Sequence, residues 1–458
     1  MLAFQKKLKN SFYILLGLPS TAMGFALSIQ IAVLSWILTT KYGLDIHKVG
    51  IVWAAGPLAG ILGQPIVGLI SDKIWFWGGR RRPFIIIGGI LAALSILALP
   101  NIDFIADATG IGNLMAVAIA VALTLDLSIN ISFNPTRSII ADVTPEGAPR
   151  TKGYTWMQSV SNLFGSMAYL TGALIGNYFL IYVGVVIVLI FSIIPLFFIE
   201  EPRQLESKQE ETDRLASEAS GEKDSKTNWT ELWKIYIAHG FSWLGVQTMF
   251  VYIISFLTQK MFSPEVVSQY ETIQALKQAG EVIPDNLLAV NDMISAQTGT
   301  MIGISFFLLN AIGAFLPVML LEPFTKRIGQ VRTHYLALFA MAIGYLGIVF
   351  FARNAMMLYI MMAIVSIGWS AVVSLPFAVM TENVNKNRMG FFMGIFNLSV
   401  VLPQLIVSLF IGSFIQSAQD KSIVFWIAGI SLAISAILWI LVKETNYAPK
   451  TQGGGSLH

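Results

Sequence analysis

One apolar stretch of this chain contains three polar or charged side chains, which are unfavourable in a hydrocarbon environment. Asp126, Asn130 and Arg137 lie in a run that becomes apolar near Leu114. Their spacing puts all three near one helix face, with Arg137 about 16 Å further along the axis than Asp126. A charge at the centre of a membrane helix costs about 2.5–3.5 kcal/mol, so it usually faces a bundle interior or a water-filled path. The pattern predicts a functional carboxylate at position 126; a polar seam that holds helices together is the alternative.

The composition places this stretch in a membrane protein. The 458 residues are 55% hydrophobic and 12% charged, and their mean hydropathy is +0.70, whereas soluble domains carry about 25% charged residues. The net charge of +3 comes from loop lysines and arginines and does not indicate nucleic-acid binding. Cysteine is absent, which excludes disulfides and thiol metal sites. The chain has no HExxH, GxSxG or Cys/His ligand cluster, so we predict neither an enzyme nor a metal site.

The apolar segments predict an all-α membrane protein. A membrane-spanning helix needs about 20 residues, and only helices close their backbone hydrogen bonds within one segment. Twelve segments qualify, at 12–39, 49–71, 83–100, 112–141, 151–177, 179–199, 235–258, 299–321, 333–352, 355–380, 389–415 and 422–442. An even number puts both termini on one side, where most lysines and arginines lie. We therefore expect a multi-pass protein of the cell (inner) membrane with both termini in the cytoplasm.

The twelve segments fall into two groups of six. The polar, acid-rich segment between them predicts an N-terminal bundle over 1–200, a cytoplasmic linker over 201–233 and a C-terminal bundle over 234–452, with 453–458 as an added tail. The halves repeat two motifs: GLISDKIWFWGGRRRPF is matched by LLEPFTKRIGQVRTHY, and PTRSIIADVTPEGAPRTKG by PFAVMTENVNKNRMG. Parallel six-helix repeats are typical of major facilitator transporters, whose substrate site lies at the midplane between the halves.

Particular motifs support the same comparison. Gly68 to Asp72, followed by Gly79, Arg80 and Arg81, resembles the cytoplasmic GxxxD(R/K)xGRR signature of the major facilitator superfamily. More narrowly, GRRRPFIIIGG, VWAAGPLAGILGQPIVGLISD, LDLSINISFNPTRSIIADV and GIFNLSVVLPQLIVSL resemble the sucrose/proton symporters of plants and their animal relatives, within the glycoside-pentoside-hexuronide cation symporters. The likeness fades in the central loop and around FLTQKMF, where those symporters carry acidic residues.

This resemblance implies a disaccharide or other glucoside, of the sucrose or maltose type, imported with protons by alternating access. It implies that Asp126 is the proton site and that Arg137 is an essential partner. About three helical turns separate the two, so we expect Arg137 to serve the coupling machinery without contacting sugar or Asp126 directly. A proton-coupled antiporter or exporter of a drug or small metabolite on the same fold is the alternative.

The coupling ion is expected to be a proton, with no other cofactor. Sodium needs several oxygen ligands, and sodium-coupled relatives in the wider family present paired carboxylates near this place. Here the residue four positions after Asp126 is the neutral Asn130, and no second acid lies deep in a predicted span. A protonated carboxyl also donates, so it can bind a sugar hydroxyl. The expected partners are a small sugar and the lipid bilayer, and we expect a monomer.

A sugar site needs neutral donors and acceptors, and these lie at several mid-membrane positions. The predicted substrate contacts are the amides Gln30, Asn130, Asn162, Asn397 and Gln404, with helix-to-helix glue as the alternative. Trp243 is a further predicted contact, which could stack on a sugar face. For Trp36 and Trp53 an interfacial belt is favoured over sugar stacking, and for His239 a surface position is favoured over a pH-sensitive role.

Charged residues at the cytoplasmic helix ends predict a gate that controls the transport cycle without contacting substrate. Its residues are Asp72, Arg80, Arg81 and Arg388, and Asp72 is expected to pair with Arg388 or to face the start of span 11. On the opposite side, the hydrophilic segment 263–297 is expected to be a lid or spacer that contains a short surface helix.

Overall fold

The computed structural model consists of helices joined by turns and describes residues 5, 7–61, 75–144, 148–201, 227–384 and 389–443. Ten helices in this described part are long and apolar enough to cross a membrane. The predicted second span begins with the shorter apolar stretch Ile46–Ile61, whose helix is interrupted by a turn at Ala54. The predicted fifth span is the 27-residue helix Ala148–Leu174. The predicted all-α membrane fold is therefore confirmed.

The described helices of the first half are α1 (Asn10–Thr40), α2 (Ile46–Trp53), α3 (Arg82–Ala98), α4 (Ile102–Thr109), α5 (Leu114–Val143), α6 (Ala148–Leu174) and α7 (Asn177–Ile193). Local sequence sets where they begin. The Asp45 side chain caps α2 by accepting from the Lys48 N–H. The Asn113 side chain caps α5 by accepting from the N–H groups of Met115 and Ala116. Helix α5 continues through Pro135, so the three polar residues predicted to share a face lie on one helix.

In the second half the described helices are α8 (Trp229–Lys260), α9 (Pro264–Ala279), α10 (Asp285–Leu316), α11 (Glu322–Ile328), α12 (Gln330–Phe351), α13 (Ala355–Val372), α14 (Leu375–Glu382), α15 (Met389–Ile406), α16 (Gly412–Ser417) and α17 (Ile423–Ile440). Helix α9 is the short helix predicted between spans 7 and 8. A π-helical turn, Val407–Ile411, joins α15 to α16. The Tyr252 hydroxyl donates to the Val407 carbonyl at 3.0 Å and so satisfies a backbone group at this turn.

The chain forms two compact units. Unit 1 comprises Met1–Gly221, Phe250–Asn310 and Leu405–Lys421, and unit 2 comprises Glu222–Met249, Ala311–Gln404 and Ser422–His458. Unit 1 thus contains α1 to α7, α9 and α16, together with parts of α8, α10 and α15. The sequence-based bundles over 1–200 and 234–452 stay a prediction.

Small residues let the helices of unit 1 approach closely, as is usual where lipid provides no hydrophobic drive between helices. A Cβ atom added at Gly17 of α1 would lie 2.9 Å from the Met157 Cα of α6. One added at Gly88 of α3 would collide with the Ser132 hydroxyl of α5. These contacts hold α1 and α5 against their neighbours, and these two helices carry the central polar pair described next.

Candidate functional site

Asp126 lies inside unit 1 against one neutral partner. The Gln30 Nε2 of α1 donates to the Asp126 Oδ2 of α5 at 2.9 Å, and the two residues are 1% and 8% exposed. Within the described residues, no basic side chain forms an ion pair with Asp126. The Gln30 Oε1 is buried and has no hydrogen-bond partner in the described part of the chain. The structure thus brings Asp126 together with Gln30, one of the predicted substrate residues, and the Gln30 Oε1 remains a hydrogen-bond acceptor without a donor among the described residues.

Gly56 lies next to the Asp126 carboxyl group, and its lack of a side chain leaves space there. A Cβ atom added at Gly56 would lie 3.2 Å from the Asp126 Oδ1, 3.3 Å from its Oδ2 and 3.4 Å from its Cγ. Distances of this kind are tighter than most Cβ contacts, so any side chain here would press on the carboxyl group. We did not predict a role for Gly56. The available signal was its place in AAGPLAG, within a span that resembles the symporters.

Asn130 and Arg137 occupy different surroundings on the same helix. The Asn130 Nδ2 donates to the Asp126 backbone carbonyl at 2.8 Å, one turn back. Arg137 is exposed, and its guanidinium lies over the Phe133 ring, 5.1 Å from the centroid. The Tyr154 hydroxyl donates to the Arg137 backbone carbonyl at 3.2 Å. The expected separation of Arg137 from Asp126 is therefore present, and the role of Arg137 in coupling stays a prediction.

The two tryptophans of the first spans do not form an interfacial belt. The Trp53 Nε1 donates to the Ser35 hydroxyl, which donates to the Val251 carbonyl, both at 2.8 Å. The Trp36 Nε1 donates to the Ser295 carbonyl at 2.8 Å. Trp36 and Trp53 are 3% and 8% exposed. The belt interpretation is wrong for both, because the Trp36 indole N–H joins α1 to α10 and the Trp53 indole N–H joins α2 to α1 inside unit 1.

Unit 2 holds an aromatic cluster around His239. His239 stacks on Phe396 with ring centroids 4.8 Å apart, and its Nε2 accepts from the Trp243 Nε1 at 3.0 Å. Trp243 also meets Trp369 edge-on at 6.1 Å. Since His239 is only 2% exposed, the predicted surface position is wrong. The apolar rings on either side account for its burial.

The remaining predicted substrate residues are placed separately. In unit 2 the Gln404 Nε2 donates to the Gln247 Oε1 at 3.4 Å, and Asn397 is half-buried. In unit 1 Asn162 is exposed on α6, where its Oδ1 accepts from the Gln158 Nε2 at 2.8 Å. Their contact with a substrate stays a prediction.

The GRRRPF run is held by carboxylates of unit 1. The Glu201 Oε2 accepts from the backbone N–H groups of Arg80 and Arg81, each at 2.8 Å, and its Oε1 accepts from that of Arg82 at 2.9 Å. The Arg81 Nε also pairs with the Asp142 Oδ2 at 3.1 Å, where the two side chains are 7% and 11% exposed. Glu201 thus caps the start of α3 from a distant part of the chain.

Two of the predicted gate residues, Asp72 and Arg388, lie outside the described residues, so their pairing stays a prediction. Sequence reasoning missed both Glu201 and Asp142. The only signals were an acid just after span 6, in EEPR, and another at the end of span 4, in PTRSIIADV.

A family model described as Major Facilitator Superfamily matches residues 17–408 and 249–456. The chain belongs to the major facilitator superfamily. It is therefore a multi-pass membrane transporter, as the sequence predicts.

Individual members of the superfamily and its solved structures agree. The chain is 25% identical to the sucrose transport protein SUC4 of Arabidopsis thaliana over 459 residues, which covers 87% of this chain and 84% of that protein. It is 33% identical over 95 residues to the general alpha-glucoside permease of Schizosaccharomyces pombe, which covers 18% of this chain and 17% of that protein. The inward open xylose transporter XylE from E. coli matches with a TM-score of 0.66 at 14% identity, covering 95% of this chain and 96% of that one. The last likeness concerns the fold alone.

Proposed function

We propose that this transporter carries a neutral disaccharide of the sucrose or maltose type into the cell together with a proton. One observation carries the proposal: a buried carboxylate in the middle of a membrane span, Asp126, is hydrogen-bonded to the neutral amide of Gln30. An ionised acid in such surroundings is costly unless it is paired, and proton binding removes that cost. Similarity to a sucrose transport protein and to an alpha-glucoside permease supports the substrate class.

The geometry suggests how proton and sugar uptake are linked. When Asp126 is ionised, it accepts from the Gln30 N–H, as in the structure. When it is protonated, its O–H can donate to the Gln30 Oε1 if the amide turns over, and the Gln30 NH₂ group then becomes available to a substrate oxygen. Proton loading thus changes which groups the site offers to a sugar, and Gly56 leaves the space next to the carboxyl group open.

Transport then follows the alternating access expected of the superfamily. Proton and sugar bind from the side that has the lower pH, and both leave on the other side. After release to the more alkaline cytoplasm, the empty carrier returns with Asp126 ionised.

Uptake into proteoliposomes tests this proposal. The purified protein is reconstituted without sodium, a pH gradient is imposed with the inside alkaline, and labelled sucrose and maltose are supplied outside. We expect accumulation above the external concentration that collapses when a protonophore is added. Accumulation that depends on added sodium, or a gradient that drives an apolar drug outward and no sugar inward, contradicts the proposal.

A further inference from the structure

A cavity lies within unit 1 at the membrane face where α1 ends. Its volume is about 330 Å³, within the range of about 300–1,000 Å³ typical of small-molecule sites. One wall is a single face of α9, where Tyr270, Glu271, Gln274 and Gln278 recur at helical spacing. The other walls come from the ends of α1 and α8 and from the segment before α17.

Most residues that line the cavity have polar or charged side chains, whereas much of the surface they expose to it is apolar, and the charges are largely balanced. The Asp45 carboxylate is occupied by the Lys48 N–H at 2.9 Å and the Lys48 Nζ at 3.0 Å. Glu271 and Lys421 supply one acid and one base on the remaining walls. Burial lowers the pKa of Lys421, and the attraction of Glu271 partly offsets this. A cavity of this kind suits a neutral ligand that has both hydroxyl groups and an apolar face better than an isolated cation.

One lining group points to a missing partner. The Thr39 hydroxyl is buried, with the residue 6% exposed, and it has no hydrogen-bond partner in the described part of the chain. Its backbone carbonyl is already engaged, because the Gln274 Nε2 donates to it at 3.3 Å. A buried hydroxyl without a partner is unfavourable, and a ligand that offers hydroxyl groups of its own would satisfy it.

The walls are also held in place without a ligand. The Lys277 Nζ ties α9 to the Thr40 carbonyl at the end of α1, and donates to the Asn291 Oδ1 at 2.7 Å. On the opposite wall the Lys421 N–H donates to the Gln259 Oε1 at 2.8 Å. A site that is already formed loses little conformational entropy when a ligand binds, which favours the binding of small molecules.

We propose that this cavity is a second carbohydrate-binding site, which holds one sugar unit through Thr39 and Glu271, next to Gln278, at the mouth of the transporter. The inference rests on the proposed function, because that function determines the side of the membrane from which sugar approaches. The binding chemistry is that of a polyol: carboxylate and amide oxygens accept from sugar hydroxyls, amide N–H groups donate to them, and the Tyr270 ring offers an apolar surface.

The absence of cysteine from the sequence makes a direct test available. Gln278→Cys places the only thiol of the full-length protein in the cavity, and the control Gln269→Cys places it on the exposed face of α9 that does not line the cavity. The alkylation rate is measured with a membrane-impermeant maleimide while sucrose, maltose or glucose is titrated. We expect sugar to slow alkylation of the Gln278→Cys protein roughly tenfold at about nine times the dissociation constant, since one tenth of the sites are then free. The Gln269→Cys rate should not change.

Two further substitutions separate this cavity from the central pair. In the Gln278→Cys background, Thr39→Val removes one hydrogen bond and should raise the half-protecting sugar concentration about fivefold. Glu271→Gln, at an exposed position, should raise it as well and serves if Thr39→Val fails to fold. Gln30→Leu should leave the half-protecting concentration unchanged.

The possible outcomes decide between the two proposals. If no sugar protects the thiol, or if the half-protecting concentration moves with Gln30→Leu, the second site is refuted, whatever the transport assay shows. If protection is found but the proteoliposomes accumulate no sugar, the second site stands and the proposed function fails.

Discussion

Replacing Asp126 with asparagine should uncouple the transporter without unfolding it. Asparagine has nearly the same size as aspartate, and its Oδ1 can still accept from the Gln30 Nε2, which lies 2.9 Å from the carboxylate in the native protein. Only the difference between a charge-assisted and a neutral hydrogen bond is lost, about 1 kcal/mol. Asparagine, however, cannot bind a proton at any pH of interest. The variant should therefore bind and exchange sugar but lose its driving force.

The size of the effect follows from the energy that one proton delivers. A potential of about 100 mV supplies ~2.3 kcal/mol, and a pH difference of one unit adds ~1.4 kcal/mol. Since ~1.4 kcal/mol is a tenfold change, the native protein can concentrate sugar by roughly 500-fold under these conditions. The Asp126→Asn variant should approach a ratio of about 1, because no proton crosses with the sugar.

Two assays on the same proteoliposomes separate coupling from binding. Net uptake is measured under the combined potential and pH gradient, and exchange is measured by counterflow with no gradient. Asp103→Asn serves as the matched control, because this acid is about half exposed and pairs with Lys41 at a helix end. Accumulation well above tenfold by Asp126→Asn refutes the assignment. Loss of exchange together with accumulation, in a protein that still unfolds at the native temperature, also refutes it, because Asp126 would then be a sugar ligand rather than the coupling site.

Three further perturbations test the structure. Gly56→Ala should reduce proton-driven uptake at least tenfold, as its methyl group would press on the Asp126 carboxyl, while Gly60→Ala, which has open space around it, should have little effect in the same assay. Glu201→Gln should lower the free energy of unfolding in detergent by about 2 kcal/mol, because three backbone N–H groups lose a charged acceptor; an unchanged denaturation midpoint contradicts the cap. Burial lowers the pKa of Lys277 to about 8, with Asp292 opposing the shift. An unfolded lysine stays protonated to about pH 10.4. The stability of the native protein relative to the Lys277→Gln variant should therefore rise between about pH 8 and pH 10 and stay constant below pH 8. Thermal unfolding of both proteins over this pH range measures the difference.

The sequence was most informative where one residue breaks a strong physical rule. A carboxylate in a run of about 20 apolar residues is too costly to be incidental, so Asp126 could be singled out without any structure. The all-α fold follows from a similar energetic argument, because in lipid only helices form all their backbone hydrogen bonds within one segment. Neither inference requires knowing which helices are neighbours. The Gln30–Asp126 hydrogen bond does require it, since 96 residues separate the two, and so the pair could not be predicted.

The failed expectations have a common cause. Hydropathy and position along a span give the depth of a side chain in the membrane, but they do not give the direction in which it points around the helix axis. Trp36, Trp53 and His239 were all placed at plausible depths and in the wrong surroundings, because each turns toward protein rather than toward lipid or water. Helix rotation is set by close contacts such as that of Gly17 with Met157, and those contacts appear only when the helices are assembled.

The GRRRPF run shows how the same limit applies to a recognisable motif. Its basic residues indicated a charged helix end, which the sequence interpretation assigned to a gate. In the structure the Glu201 carboxylate is bound by the backbone N–H groups of Arg80 and Arg81 as well as Arg82, and the Arg81 side chain pairs with Asp142. The run therefore ties the start of α3 to the ends of two other spans in unit 1. A gate built on this run would have to move these spans as one body, because separating them would leave the half-buried carboxylates without partners and cost several hydrogen bonds at once.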